Sequence, residues 1–263
     1  FQSDNSVSKI GTHTNHPFVL LANNTEAMRI DTVGNLGIGA TPTTFHSTLT
    51  GVQIGGNAIL QHETAAGAGK TFKIAQNVRE EITSGDFTYI STDEASLIEL
   101  NSGGVNIKTA PSGTGGATAT MTSRFTVSGS GEVGIGTASP TDLLEIASST
   151  TPALAFNDTG GGAGSKVFRL SGGGDKFFFS GRNDTNTGDG DVGDIMTFDL
   201  TNGRVGIGLT DPGHLLDVTA ADGIADNNPV ARFVNSETTN GRSKGIYIRA
   251  GSTNDDFGLQ IDD

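Results

Sequence analysis

Residues 130–140 read SGEVGIGTASP, in which Val and Ile alternate with glycines ahead of a proline. The phrase occurs twice more, as VGNLGIGATP at 33–42 and as NGRVGIGLTDP at 202–212. In an extended strand, the Val and Ile side chains point to one face and the glycines to the other. A glycine inside a strand marks a bend or the close approach of another backbone, and the proline ends the ladder because it has no N–H. Each copy therefore predicts a strand, a turn, a glycine-faced strand and a proline stop.

We call these three repeats the connectors. Behind the second and third copies, the segments LLEI (143–146) and LLDV (215–218) predict one more strand. The first copy departs from the pattern, because its turn is one residue shorter and TTFHSTL follows its proline. The residues predicted to form the connectors are Gly37, Ile38, Gly39 and Pro42, then Val133, Gly134, Ile135, Gly136 and Pro140, and then Val205, Gly206, Ile207, Gly208 and Pro212.

Composition and patterning together predict an all-β fold. The chain has 263 residues, of which 39 are glycine and 34% are hydrophobic, and it has no cysteine. This is a thin core for such a length, so we expect an elongated modular shape or burial completed by sister chains. Short alternating runs bounded by glycine turns predict strands, whereas the best helical candidate, STDEASLIEL at 91–100, ends within three turns and is not predicted as a helix.

Charge and hydropathy together argue against two classes of partner, nucleic acid and the membrane interior. With 16 basic and 29 acidic residues, the net charge is −13, and no cluster of Lys and Arg is present to bind a phosphate backbone. No apolar run approaches the roughly 18 residues of a membrane-spanning helix. We therefore expect a soluble particle or an external surface, with no nucleic acid bound and no membrane insertion.

The connectors also predict how the chain is divided. Their spacing is unequal, which argues against a solenoid with one fixed period. We predict four modules, at 1–45, 46–141, 142–213 and 214–263, of which the first three end in a connector. Because the chain starts without an initiator Met, we expect a fragment or a processed product.

The phrase GxVGIGTxxP, followed by a Leu-x-Val strand, resembles the connector repeat of bacteriophage tail fibres and related virion appendages. The matching segments are 34–42, 131–146 and 203–218. In that family the repeat often precedes an endosialidase-type intramolecular chaperone, whose Ser-Asp and Arg-Leu-Lys signature this sequence lacks. The resemblance implies a homotrimeric, β-rich fibre of the virion. Its partners would be other tail proteins and a glycan or protein receptor on the host surface.

Two other functions stay open. Similar repeats occur in bacterial surface proteins, so a cell-surface adhesin or an extracellular filament subunit is one alternative. A tailspike that degrades polysaccharide is the other, and it needs two carboxylates facing across a groove. No spacing singles out such a pair. The sequence also has no tryptophan and only two tyrosines, Tyr89 and Tyr247, whereas sugar-cleaving grooves usually offer aromatic platforms for stacking. We therefore predict no catalysis and no catalytic residues.

A trimer gives the connectors a physical role. Three chains around one axis would let the glycine face of each connector approach a neighbouring chain closely, while Val and Ile fill the axis or the gap between strands. Closing the sheet between chains also removes exposed strand edges. The alternative is that GIG is only a tight turn in an ordinary sandwich.

Two candidate binding sites lie between the connectors. In the loop at 182–194, oxygen ligands of the kind that Ca²⁺ prefers are offered by Asp184, Asn186, Asp189, Asp191 and Asp194. The loop lacks the EF-hand register, so a solvated turn is the alternative, and no other cofactor is predicted. For receptor contact, polar loops need a few basic or aromatic anchors. The predicted anchors are Arg182, Arg242 and Tyr247.

Overall fold

The computed structural model describes residues 2–3, 8–80, 86–160, 167–182 and 189–219. All regular elements in these ranges are strands, which confirms the all-β fold class. The strands are β1 (Gln2–Ser3), β2 (Ser8–Lys9), β3 (Phe18–Ala22), β4 (Thr25–Ile30), β5 (Leu36–Ile38), β6 (Leu49–Ile54), β7 (Ala58–Glu63), β8 (Thr71–Gln76), β9 (Val78–Glu80), β10 (Phe87–Tyr89), β11 (Asp93–Asn101), β12 (Gly104–Gly113), β13 (Thr122–Val127), β14 (Val133–Ile135), β15 (Leu144–Ile146), β16 (Ala153–Asn157), β17 (Val167–Gly173), β18 (Lys176–Arg182), β19 (Asp189–Asp199), β20 (Arg204–Ile207) and β21 (Leu216–Val218).

The chain divides into two compact units, Phe1–Pro152 and Ala153–Asp263. In the first unit, eleven strands form one sheet in the order β15-β14-β13-β12-β11-β8-β7-β6-β5-β4-β3, while β9 pairs with β10 and β1 with β2. In the second unit, β16 to β21 form a sheet of six strands in chain order. Neighbouring strands are antiparallel except within the three connectors, where β5 and β6, β14 and β15, and β20 and β21 run parallel.

One face of the eleven-stranded sheet carries a row of apolar side chains that crosses every strand. The strands alternate apolar and polar residues, and the cross-strand register keeps the apolar positions aligned. The row consists of Phe18, Ile30, Leu36, Val52, Leu60, Ile74, Ile98, Ile107, Phe125, Ile135 and Ile146. We call this side of the sheet the apolar face. It is not covered by the described chain: Ile74 is 42% exposed, Ile98 38% and Ile135 43%.

The opposite face of the same sheet holds the core. Ile59 and Leu97 point to this side and are each only 1% exposed. They are covered by Val78 of β9, Tyr89 of β10 and loop residues of the same chain. The core cluster comprises Phe45, Leu49, Ile59, Ala75, Val78, Tyr89, Ala95, Leu97, Ala110 and Ala119. The described chain therefore buries its core on one face of the sheet and leaves the other face open.

The second unit repeats this arrangement on a smaller scale. Its cross-strand register aligns an apolar row of Leu154, Leu170, Phe179, Met196, Ile207 and Val218. Phe179 of this row packs with the neighbouring rings of Phe177 and Phe198, and the three ring centroids lie 5.4–6.2 Å apart. Phe156 at the edge of the sheet is still 55% exposed. Among the described residues, both units thus leave an apolar sheet face open.

A buried asparagine fixes the turn where the chain leaves the large sheet for the β9–β10 hairpin. Asn77 is fully buried and has a left-handed backbone, with φ of +57°. Its Nδ2 donates to the carbonyls of Ser91 and Glu94, each at 3.0 Å. Its Oδ1 accepts from the N–H of Ser91 at 2.9 Å and from the hydroxyl of Ser91 at 2.8 Å. One side chain therefore ties the end of β8 to the start of β11.

We predict that Asn77→Ala lowers the free energy of unfolding by more than ~2 kcal/mol, because it leaves several buried polar groups without partners. Asn24→Ala is the matched control, since Asn24 has a similar φ of +60° but lies exposed in the β3–β4 turn. The two variants share the backbone strain, so their difference in urea unfolding measures the side-chain bonds. Equal losses in the two variants would contradict this role for Asn77.

Candidate functional site: the connectors

Each connector opens with a turn that one side chain holds. The residues are Asp31, Ser128 and Asp199, and in each the side-chain oxygen accepts two hydrogen bonds of 2.8–3.2 Å from backbone N–H groups two to four residues ahead. Short polar side chains favour such turns because they replace a backbone acceptor. Hydrogen bonds from the side-chain amide and the backbone N–H of Asn202 hold the pKa of Asp199 below its usual range. The carboxylate of Asp199 is therefore ionised at neutral pH when it accepts these bonds.

The middle glycine of each connector, which is the first glycine of GIG, is packed against backbone. A β carbon added there would lie 2.1–2.8 Å from a carbonyl oxygen three residues further on, closer than real contacts allow. The pairs are Gly37 with Ala40, Gly134 with Thr137, and Gly206 with Leu209. Close approach was predicted from the sequence, but the approaching backbone belongs to the same chain. The expectation that a neighbouring chain fills this space is therefore wrong for these glycines.

The last glycine of each GIG turns the chain out of its strand. The φ angles of Gly39, Gly136 and Gly208 are +64°, +79° and +79°, which is left-handed backbone that favours glycine. Each donates its N–H to a carbonyl of the preceding antiparallel strand, at 2.9–3.1 Å. At Gly136 and Gly208 a β carbon would also lie 2.2 and 2.1 Å from the carbonyl oxygen just after the following parallel strand. At Gly39 no atom lies within 4 Å of that position.

The proline closes a crossover that leads to a parallel strand. Pro212 is fully buried, and Pro42 packs against Gly37. The strands predicted at LLEI and LLDV are confirmed as β15 and β21. In the first connector the corresponding strand is β6, which follows a longer crossover. The first copy therefore departs from the others in crossover length and not in architecture.

A polar side chain opposite the middle glycine locks each crossover. The register pairs Gly37 with Gln53, Gly134 with Glu145, and Gly206 with Asp217. Each of these side chains accepts a hydrogen bond of 2.7–2.9 Å from the N–H of the residue that follows the proline. The sequence prediction missed these three residues. Their signal is present in the second and third copies, where an acidic residue stands five positions after the proline.

The isoleucine of each GIG points away from these contacts and joins the open face. Ile135 and Ile207 belong to the apolar rows of the two units, and Ile38, 36% exposed, lies in the neighbouring row. Val133 and Val205 are half-buried on the same side. A connector thus adds a parallel strand while it keeps the apolar residues on one face of the sheet.

The other predicted sites are only partly described. Of the calcium candidates, Asp194 has a described side chain; it accepts a hydrogen bond from Ser180 Oγ and lies 3.5 Å from Arg182 Nη2. Arg182 is 16% exposed, which leaves little of it for receptor contact. Asp184, Asn186, Arg242 and Tyr247 lie outside the described residues. For Asp189 and Asp191 the structure describes the backbone strand but not the side chains. Among the side chains that are described, no group of three or more His, Cys, Asp or Glu is arranged to hold a metal.

Compared with protein-family models and with curated proteins, the chain matches none. Within the described ranges, no helix is long and apolar enough to cross a membrane. The open apolar faces and the connectors that maintain them are therefore the features from which a function is inferred.

We predict that Gly136→Ala destabilises the protein more than Gly39→Ala. Both substitutions place a methyl group on left-handed backbone, at a cost of about 1–2 kcal/mol. Only Gly136→Ala also displaces the backbone of Ala147, which should add roughly 1–3 kcal/mol. Thermal and urea unfolding of the two variants measure the difference. Equal stabilities would show that the close approach at Gly136 is not a constraint.

We also predict that Glu145→Ala lowers stability by about 0.5–1.5 kcal/mol, because the N–H and hydroxyl of Thr141 lose their acceptor. Glu145→Gln should restore most of this loss, since Gln53 holds the first connector through an amide oxygen. Urea unfolding of the two variants provides the measurement. If Glu145→Gln is as unstable as Glu145→Ala, the acceptor role assigned to this position fails.

Proposed function

We propose that the chain is a structural subunit of a homotrimeric fibre or appendage on a bacteriophage virion, that it takes part in host-cell attachment, and that it performs no catalysis. The observation that supports this most is the apolar face, whose row of side chains crosses all eleven strands of the first sheet without being covered by the described chain. Soluble proteins rarely leave so large an apolar patch open unless a partner covers it.

Sister chains are the partner that fits this face best. An apolar row is present on the sheets of both units, so the partner must offer a matching surface to each. A second copy of the chain carries both surfaces in the same order, and no separate partner with two matching sites is needed. Burial between copies would also add to the thin core of the single chain, whose hydrophobic content is low at 34%.

The connectors support the choice of an extracellular appendage. Their phrase is the one that resembles the tail-fibre repeat, and each copy extends a sheet by one parallel strand without changing the exposed face. A chain with net charge −13 also suits an external particle surface. In this proposal the chain binds its own copies, further tail proteins and a host surface receptor, and the GIG segments serve as joints.

Light scattering coupled to gel filtration tests the assembly, and we expect a mass about three times the 26.9 kDa of one chain. Ile98→Asp places a charge in the centre of the apolar row and should give monomers, because an unpaired charge is strongly disfavoured in an apolar interface. Asn24→Asp, an exposed position in the β3–β4 turn, is the control and should stay trimeric. A monomeric parent chain would overturn the proposal.

Host attachment has its own readout. Labelled parent protein should bind host cells and compete with virion adsorption, and the Ile98→Asp variant should lose most of that binding, because three weak contacts act together only in the trimer. Equal cell binding by monomer and trimer would contradict an avidity role for the assembly. A trimer that binds no host cell would limit the chain to a structural part of the appendage.

A further inference from the structure

The turns that open the first and third connectors are each held by an aspartate and an asparagine. In the first connector, Asn35 donates from its backbone N–H to Asp31 Oδ1 at 2.8 Å and from its Nδ2 to Asp31 Oδ2 at 3.0 Å. In the third connector, Asn202 donates to Asp199 in the same way, at 3.0 Å and 2.8 Å. The two asparagines therefore share their contacts with the aspartates and differ in their other surroundings.

Asn35 is enclosed, whereas Asn202 is open to solvent. Asn35 is 3% exposed, its Oδ1 accepts a hydrogen bond from the N–H of Gly51 at 3.1 Å, and Leu36 follows it in the chain. Asn202 is exposed, and the residue that follows it is Gly203, which is also exposed. The backbone of Gly203 is left-handed, with φ of +65°, and no atom lies within 4 Å of the position that a β carbon would take. Only the third connector therefore combines the asparagine–aspartate contact with an exposed Asn-Gly pair.

An asparagine that precedes glycine can lose its side-chain amide without an enzyme. The backbone nitrogen of the next residue attacks the side-chain carbonyl carbon Cγ and gives up its proton, ammonia leaves, and a cyclic succinimide forms. Water then opens the ring at either of its carbonyl groups, so that the residue becomes aspartate or isoaspartate. Glycine favours the ring closure because it has no β carbon to obstruct the attacking nitrogen.

We propose that Asn202 is a site of spontaneous deamidation through the backbone nitrogen of Gly203, and that Asp199 restrains this reaction. The hydrogen bond from Nδ2 holds the amide toward Asp199, three residues back, whereas the attacking nitrogen belongs to the residue ahead. The turn therefore has to open locally first, and exposed turns with few buried contacts open at little cost. Burial and the bond from the N–H of Gly51 oppose the same reaction at Asn35. The reaction needs only one chain and water, so it goes beyond the proposed function and does not depend on it.

Aspartate, the first of the two products, would place like charges against each other in the turn. A carboxylate at position 202 would lie within hydrogen-bond distance of Asp199 Oδ2, where the Nδ2 donor of Asn202 lies now. Asp199 is ionised at neutral pH, because the hydrogen bonds from Asn202 hold its pKa low. Lys176 and Arg204 pair with Asp199 by register, but their side chains donate hydrogen bonds to carbonyls of the crossover. The new carboxylate would therefore meet a negative charge where the amide met an acceptor.

Isoaspartate, the second product, would change the backbone itself. The chain would then run through the β carbon and Cγ of residue 202, which adds a methylene group to the short loop of residues 200–203. This loop joins β19 to β20, whose pairing aligns Met196 with Ile207 in the apolar row of the second unit. Either product therefore weakens the turn that opens the third connector.

Peptide mapping by mass spectrometry tests the site in the folded chain, after incubation at mildly alkaline pH, where the attacking nitrogen loses its proton more readily. Asn202 should convert to both aspartate and isoaspartate, while Asn35 stays intact. Gly203→Ala should slow the conversion, and the open space at this position leaves the new methyl group without a clash. An intact Asn202 in the folded chain, over a period in which it converts in the urea-unfolded chain, would overturn the proposal. Aspartate without isoaspartate would overturn the succinimide route.

The restraint has a separate readout. Asp199→Ala should speed the conversion of Asn202 by roughly tenfold or more, because a hydrogen bond to a charged acceptor contributes enough free energy to shift local opening by that factor. Asp31→Ala, the matched change in the first connector, should leave Asn35 slower than Asn202, since Leu36 still obstructs the attack. Equal rates at Asn202 in the parent and in Asp199→Ala would overturn the restraining role of Asp199.

The effect on the turn is measured with a variant that reproduces the aspartate product. Asn202→Asp should unfold at a lower urea concentration than the parent chain, because its carboxylate faces that of Asp199. Asn24→Asp, at an exposed position in the β3–β4 turn, adds the same charge and should unfold like the parent. Equal urea midpoints for the two variants would show that deamidation leaves the third connector intact, which would overturn its predicted effect.

Discussion

The structure depends on one constraint. Side chains alternate between the two faces of each strand, and this alternation has to stay aligned across every strand pair of a sheet. A slip of one residue at any pair would move the apolar residues of all later strands to the other face. In the first unit the row from Phe18 to Ile146 keeps its phase through ten successive pairings. Three of these pairings contain a register shift, at Leu20/Leu21, Asp93/Ala95 and Ile107/Lys108. The core and the open face both follow from this alignment.

The connectors are the places where the phase is most at risk, because there the chain changes from antiparallel to parallel pairing. A parallel neighbour normally needs a crossover of a dozen or more residues, yet in the second and third connectors only residues 136–143 and 208–215 separate the parallel strands. They do so because the glycines let the crossover lie directly on the strand that it leaves. Glu145 and Asp217 then hold the crossover from the opposite strand. The repeated phrase is therefore the sequence of a short crossover to a parallel strand that keeps the register of the sheet.

The sequence predicts the local parts of this architecture and misses what depends on pairing. Strand character, the turn glycines and the strands after Pro140 and Pro212 follow from short patterns, so they could be predicted. The path of the crossover cannot be read from a local pattern, and for this reason the close approach at Gly134 was assigned to another chain. The apolar row also escapes prediction, since residues as distant as Val52 and Ile135 share a face only once the whole register is known. Gln53 was missed because a longer crossover separates it from Pro42.

The register of the single chain also bears on the proposed assembly. Hydrophobic burial is non-directional, so an apolar row alone would allow several pairings of sheets with similar energy. The alternation that the connectors keep in phase decides which face of each sheet a second copy can cover. In the proposed assembly, the contact surface between copies is therefore set by the same pairing that sets the core of each copy.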